Sequence, residues 1–490
     1  LNLQENNCRV IKLIKIQTIY FILLLGWVGG PLFLSAQSGN VGVGVALPAE
    51  KLDVDGNIQL TGEIKLNGSG GTMGQVLTSN GNGTMSWASQ TSSNPVASGY
   101  GNWGDCATNQ NIGDYNPVAD PEGKSGDGFG EASAIDGVFA VIASRSDDVG
   151  ANANQGSVSV YQFDGTRWIF FQKLTDPAGE ANDNFGAAVA IRGNTIVVGA
   201  PNDDVGVNAD QGTAVVFRYD GAMWNYYQKI GQVIGFPNDY FGSSVALMNE
   251  YIVCGAPYFD TTPSNNKGAV YIFQDDGTQY TQWQSIPASG VNNAAHFGSA
   301  VGINSDLEIV VGVPGQNVTY TSQGAVHVYL YDGFSWLYGQ TLTDPTSLGS
   351  ESLGDFICLR NGILIASQIS GNNDKGAASV FEKVNNVYEF SQKLTDPDGV
   401  TLDRLGQSVS ISPMYAIVGA SNANSDKGKA IIFVKIGTIW KRMQTIADPY
   451  SLGGINFFGS SLAMDPTSKR FVIGAYLAAQ KGMAYFGKIN

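Results

Sequence analysis

Histidine is almost missing: His296 and His327 are the only two in 490 residues. That scarcity argues against histidine-rich metal sites and most histidine-based catalysis. Charge is thin as well, at 14% of residues, against about 25% in an average soluble domain. The basic side is the smaller, with 27 Lys+Arg against 42 Asp+Glu and a formal net charge of −15. A shortage of Lys and Arg excludes nucleic acid as the expected partner, because a phosphate backbone is held by those residues. Cysteine is limited to Cys8, Cys106, Cys254 and Cys358. Loss of a leader carrying Cys8 would leave an odd number, a poor basis for a disulfide framework. Cys254 and Cys358 lie in apolar runs, Tyr-Ile-Val-Cys-Gly-Ala and Asp-Phe-Ile-Cys-Leu, and read as buried free thiols. What is abundant is Gly, 63 residues, with 21 Tyr and 23 Phe, the makings of strands and turns.

Arg9, Lys12 and Lys15 lead into a nearly unbroken apolar run, Ile16 to Leu34, which closes on Ser35-Ala36 before Gln37. This is the pattern of a cleaved secretory signal. Gly26, Gly29, Gly30 and Pro31 interrupt the second half, which favours cleavage over a membrane anchor although the length approaches the ~20 residues of a span. A secreted or cell-surface location is expected, with no membrane span after signal cleavage. The chain opens on Leu1 rather than Met, and retention at a surface would rest with the following segment or with an uncleaved signal. That segment carries Val41-Gly-Val-Gly-Val, Lys51-Leu-Asp-Val-Asp-Gly56 and Gly74-Gln-Val-Leu-Thr-Ser, short strands that cannot bury a core alone. They resemble the stalks of bacterial surface proteins and phage tail fibres, and the resemblance implies a homotrimer through this region. A Ser/Asn/Gly-rich linker follows.

The rest of the chain repeats itself. Phe129-Gly130, Phe185-Gly186, Phe241-Gly242, Phe297-Gly298, Leu353-Gly354, Leu405-Gly406 and Phe458-Gly459 are spaced by 56, 56, 56, 56, 52 and 53 residues. Each copy holds four short β-rich runs bounded by turn formers; in the second they are 186–191, 195–200, 212–217 and 224–230. Between the third and fourth runs Asp-Gly recurs at Asp164, Asp220, Asp276 and Asp332, a pair suited to tight hairpins. Four antiparallel strands per ~50-residue unit predict a β-propeller. The last copy stops after three strands, while Val118-Ala-Asp120-Pro121 aligns with Leu174-Thr-Asp176-Pro177 at an offset of 56. Residues 110–119 are therefore expected to supply the seventh blade's outer strand and close the ring. The fold class is all-β, a seven-bladed propeller of four-stranded antiparallel blades. The expected domains are a signal at 1–36, a β-rich stalk at 37–90, a linker at 91–109 and the propeller at 110–490.

Phe185-Gly186 with Gly199-Ala200-Pro201, and Phe241-Gly242 with Gly255-Ala256-Pro257, resemble the FG-GAP repeats of the integrin α-subunit propeller. Phe297-Gly298 with Gly312-Val313-Pro314 is a near match, Gly419-Ala420-Ser421 and Gly474-Ala475-Tyr476 are later variants, and Ala366-Ser367 is degenerate. The resemblance implies a binding role, in cell adhesion or protein contact. It does not carry over the family's calcium loops. The connections at 192–194, 248–250 and 304–306 lack the Asp-x-Asp-x-Asp-Gly ladder that calcium's oxygen shell requires. No cofactor is required on this reading, and Ca2+ would have to find other ligands.

Acidic residues gather instead between second and third strands. Asp147, Asp148, Asp203, Asp204 and Asp210 are the candidate cation ligands, weighed against plain solvated turns. Alternate connections of an up-and-down sheet share a face, so these loops are expected beside the inter-blade loops holding Asp176, Asp183, Asp239, Asp344, Asp396 and Asp403. One long-looped, acidic face is thus expected to take a protein or glycan ligand. His327 reads as packed within its strand and His296 as a loop variant. The Asp-Gly-x-x-Trp phrase resembles part of the sialidase Asp-box but lacks its leading Ser-x-Asp. No catalytic constellation is legible, and no catalytic residue is assigned. An exported binding or adhesion protein is the first reading; a polysaccharide-acting hydrolase or lyase, and a structural component of a surface layer or fibre, are the alternatives.

Overall fold

The computed structural model describes residues 116–490 apart from 261–264, 449–453, 466 and 490, together with the backbone of seven short strands between residues 34 and 89. The chain divides into two compact units, 1–103 and 104–490. In the first, Leu34–Gln37, Asn40–Val43 and Leu52–Val54 make one sheet, and Gln75–Ser79 pairs with Met85–Ser89 as a hairpin. The expected signal up to residue 33 and the linker at 91–109 lie outside the described residues, as does Cys106.

The second unit is the expected seven-bladed propeller. Every blade is a four-stranded antiparallel sheet, in sequential order in the first six. Blade 2 comprises Ala188–Arg192, Thr195–Ala200, Thr213–Tyr219 and Trp224–Ile230, within a residue or two of the runs read from sequence. Blade 7 comprises Leu462–Met464, Arg470–Ala475 and Met483–Lys488, and takes its fourth strand from Asn116–Val118 at the other end of the unit. The register is Ala484 with Val118, Tyr485 with Pro117 and Phe486 with Asn116. Closure leaves no blade short of its outer strand.

The Phe-Gly and Gly-Ala pairs are the joints of the ring. Phe129, Phe185, Phe241, Phe297 and Phe458 are fully buried. In each blade the N–H of the glycine after the Phe or Leu donates to the Gly-Ala position of the same blade, as Gly242 does to Gly255 at 2.9 Å. A Cβ on Gly255 would collide with the Gly298 carbonyl of the next blade, and one on Gly474 with the Gly130 carbonyl across the closure. Glycine at these sites lets neighbouring backbones touch.

Outer strands are linked by a second device that the sequence reading missed. Six blades carry a register shift between third and fourth strands, for example between Val216 and Phe217. A bulge re-aims the side chain beside it, here a glutamine. Gln284 accepts from the Trp336 N–H at 2.8 Å and donates to the Trp336 carbonyl at 2.9 Å. Gln172, Gln228, Gln340 and Gln392 grip Trp224, Tyr280, Tyr388 and Trp440 in the same two-bond manner. Asn116, one methylene shorter, reaches Trp168 only at 3.4 Å. The closing seam adds a stacked Trp168–Phe486 pair with ring centroids 4.4 Å apart.

Candidate functional site

Loops between second and third strands share a face with the inter-blade loops, as expected, and the contacts that prove it correct another expectation. Lys173 binds Asp120 of an inter-blade loop at 2.9 Å and Asp147 of a second-to-third loop at 2.5 Å. Lys229 repeats this with Asp176 at 2.7 Å and Asp203 at 2.6 Å. Lys393 binds Asp344 and Glu351, and Lys429 binds Asp396 and Asp403. The other carboxylate oxygen caps a turn: Asp176 accepts from the Ala178 N–H at 2.9 Å and Asp344 from Thr346 at 2.7 Å. Asp183 and Asp239 accept from Glu180 and Phe236.

Asp176, Asp183, Asp239, Asp344, Asp396 and Asp403 are accordingly all buried. They do not form an acidic display surface. Their charge is spent on lysines and backbone amides inside the loop layer, because a buried carboxylate must be paired or hydrogen-bonded. Burial and the neighbouring Asp203 and Asp176 push Asp183 up to about 6, against the lowering effect of the Glu180 N–H.

Of the five candidate cation ligands, Asp147 and Asp203 sit in these lysine clusters. Asp148 and Asp204 are exposed, and each caps its own loop by accepting from the N–H of Asn154 or Asp210 at 3.0 and 2.9 Å. Asp210 accepts from Asn202 at 2.9 Å. Among the described residues no group of three His, Cys, Asp or Glu side chains is placed to hold a metal ion. His327 is packed as expected: it is buried, bonded to Gln316 at 2.7 Å and lowered by burial to about 4. Cys254 is a buried free thiol, whereas Cys358, expected buried, is only partly so.

At the centre of the long-loop face opens a channel of about 250 Å³ between the inner strands. Its polar lining includes Glu131, Ser133, Ser243, Ser299, Asp355 and Ser460; Val189, Val245, Val301, Ile357, Val409 and Leu462 supply an apolar belt. Glu131 is held by Arg145 at 2.6 Å. Burial raises the Asp355 carboxyl to about 7.

One repeated position forms a rim just outside the lining of that channel. Ser243 donates to the Tyr240 carbonyl at 2.7 Å and Ser299 to the His296 carbonyl at 2.8 Å, so in these blades the residue before the Phe-Gly pair stands one turn from a channel-lining serine. In chain order it is Gly128, Asn184, Tyr240, His296, Ser352, Arg404 and Phe457, all at positive φ between 51° and 72°. Bulky residues rarely adopt that backbone; here it is over-determined by the joint that follows. Tyr258 lies against both Tyr240 and His296, with ring centroids 5.3 and 4.8 Å apart, and Phe457 stacks on Tyr476 at 5.0 Å. The recurring offset from Phe-Gly was visible in sequence; the shared φ was not. A larger cleft of about 510 Å³ lies further along the same face, lined by Asp398, Arg404, Asn424, Asp426 and their neighbours.

Residues 168–217, 224–273 and 388–433 match the family model described as FG-GAP repeat. Each of the first two matches starts on a blade's outer strand and ends on the third strand of the next blade, so the sequence repeat straddles two blades. No match was found among curated proteins. The chain carries FG-GAP repeats, set in a ring of seven four-stranded blades.

Proposed function

We propose that this is an exported binding protein, secreted or held at a cell surface, whose propeller recognises a protein or glycan through its long-loop face. The observation that carries this reading is the rim: of seven equivalent backbone positions one is a glycine and the other six bear six different side chains. A rigid scaffold with unlike groups at matched sites suits recognition. An array of glycans and proteins, read with and without calcium, tests it. Binding that is lost when Tyr240 and Arg404 are replaced by glycine is the expected outcome, and no ligand at all would sink the reading. Light scattering of the full chain tests the proposed trimer through residues 37–90.

Asp355 supports a second reading. A carboxyl titrating near pH 7 in a channel also lined by Glu131, whose proton affinity burial raises against Arg145, has the character of a general acid. Turnover of a polysaccharide by the wild-type chain, lost in Asp355→Asn, would replace binding with hydrolysis or elimination as the function.

A further inference from the structure

The loops of blades 1 and 2 share one backbone and differ in what they display. Val149 and Asn152 exchange hydrogen bonds at 3.0 and 3.1 Å, and Val205 and Asn208 do the same at 3.0 and 3.1 Å. The Asn152 amide reaches the Gly179 carbonyl at 2.9 Å; Asn208 reaches Gly235 at 3.1 Å. Asn182 N–H donates to Ala153 and Asn238 N–H to Ala209, both at 2.9 Å. These bonds tie each second-to-third loop to the following inter-blade loop.

Onto this common frame the first copy places Ala151, Pro177, Ala178 and Glu180, where the second has Val207, Val233, Ile234 and Phe236. The latter four are 98%, 77%, 71% and 47% exposed. The fold does not need them, because the neighbouring copy builds the same loops from small and charged residues. Large apolar side chains clustered in water on adjoining, cross-bonded loops mark an interaction site. Phe236 roots the patch on Phe259 of blade 3, ring centroids 6.2 Å apart. Asp148, Glu180 and Asp204 stand exposed on the neighbouring loops of blades 1 and 2. A second copy of the chain would bring the same negative border against this one, which is unfavourable.

We propose that loops 203–211 and 231–240 form a docking surface for a protein partner presenting apolar side chains bordered by Lys or Arg. The proposal rests on the long-loop face being a binding face and names the sector and the partner chemistry. The probe is an amphipathic Leu/Lys peptide of about 18 residues, titrated into the full chain by calorimetry, with a Leu/Glu peptide as control. The test variant carries Val207→Ala, Val233→Ala, Ile234→Ala and Phe236→Glu, which imposes the first copy's character on the second. It should keep the wild-type melting temperature and bind the Leu/Lys peptide about tenfold more weakly. The variant is more negative than wild type, so unchanged or tighter binding would mean charge alone is at work and would overturn the proposal. Equal affinity for the Leu/Glu peptide would overturn it as well. So would a wild-type dimer that the variant dissociates, which would make a second copy the occupant. Should the fourfold variant melt early, Phe236→Glu alone gives the same reading. A ligand from the array that binds wild type and variant alike would leave the long-loop face intact as a binding face while removing this docking site.

Discussion

Asp164, Asp220, Asp276 and Asp332 stand in water on the hairpin face, each accepting backbone N–H groups of its own turn, as Asp220 does from Ala222 and Met223 at 2.8 and 2.9 Å. Those local bonds hold the Asp164 carboxyl down near 2. Asp176 and Asp203, on the opposite face, are buried and share one lysine. The first set stabilises four-residue turns that would form elsewhere in the same way. The second ties an inter-blade loop, a second-to-third loop and an outer strand into one unit. Acidic composition therefore says little about displayed charge: where carboxylates are buried in bulk, the exposed face is free to carry other groups, as Tyr240 and Arg404 at the rim and Val233 and Ile234 in the 231–240 loop do.

Removing the shared cation should break this contrast most. Lys229→Met leaves two buried carboxylates facing each other, and loss of one partner of such a cluster costs about 3 kcal/mol. Chemical denaturation at neutral pH measures it. Adding Asp203→Asn to that variant should recover roughly half of the loss, since only one charge then lacks a partner; no recovery would mean that packing of the lysine stem, not charge, is what matters.

Asp355 gives a smaller effect of opposite sign. Its carboxyl titrates near 7 in the folded chain and near 4 when unfolded, so the folded state holds a proton that the unfolded state has released between those values. This contribution to stability is fully present below pH 4 and is lost as pH rises through 7. Asp355→Asn should therefore stabilise the protein at pH 8, by about 1 kcal/mol once water in the channel is allowed for, and leave it unchanged at pH 4. Melting curves across that range test it. Least of all should change on the hairpin face: Asp220→Ala is expected to leave the unfolding midpoint close to wild type. A large drop there would erase the distinction between the two sets.

Much of the propeller was legible because its determinants are local and periodic. Phe-Gly spacing counted the blades, Asp-Gly located the hairpins, and the 56-residue offset of Asp120-Pro121 from Asp176-Pro177 revealed the closing strand. The candidate site was less legible. Lys229 and Asp203 are separated by 26 residues, and nothing in either segment announces that the outer strand delivers one to the other. Gln172, Gln228 and Gln284 recur at a fixed offset, which signals a role. That each grips the next blade follows only from the bulge beside it.

By itself the sequence determined the number of blades, their strand order and the place of ring closure, since these follow from apolar runs and turn residues within ~50-residue windows. Tertiary structure alone decided which carboxylates meet lysines, which glycines touch a neighbouring backbone, and which side chains reach the rim. Those outcomes depend on distances between blades, and distance across a closed ring is a property of the assembled layers rather than of any stretch of chain.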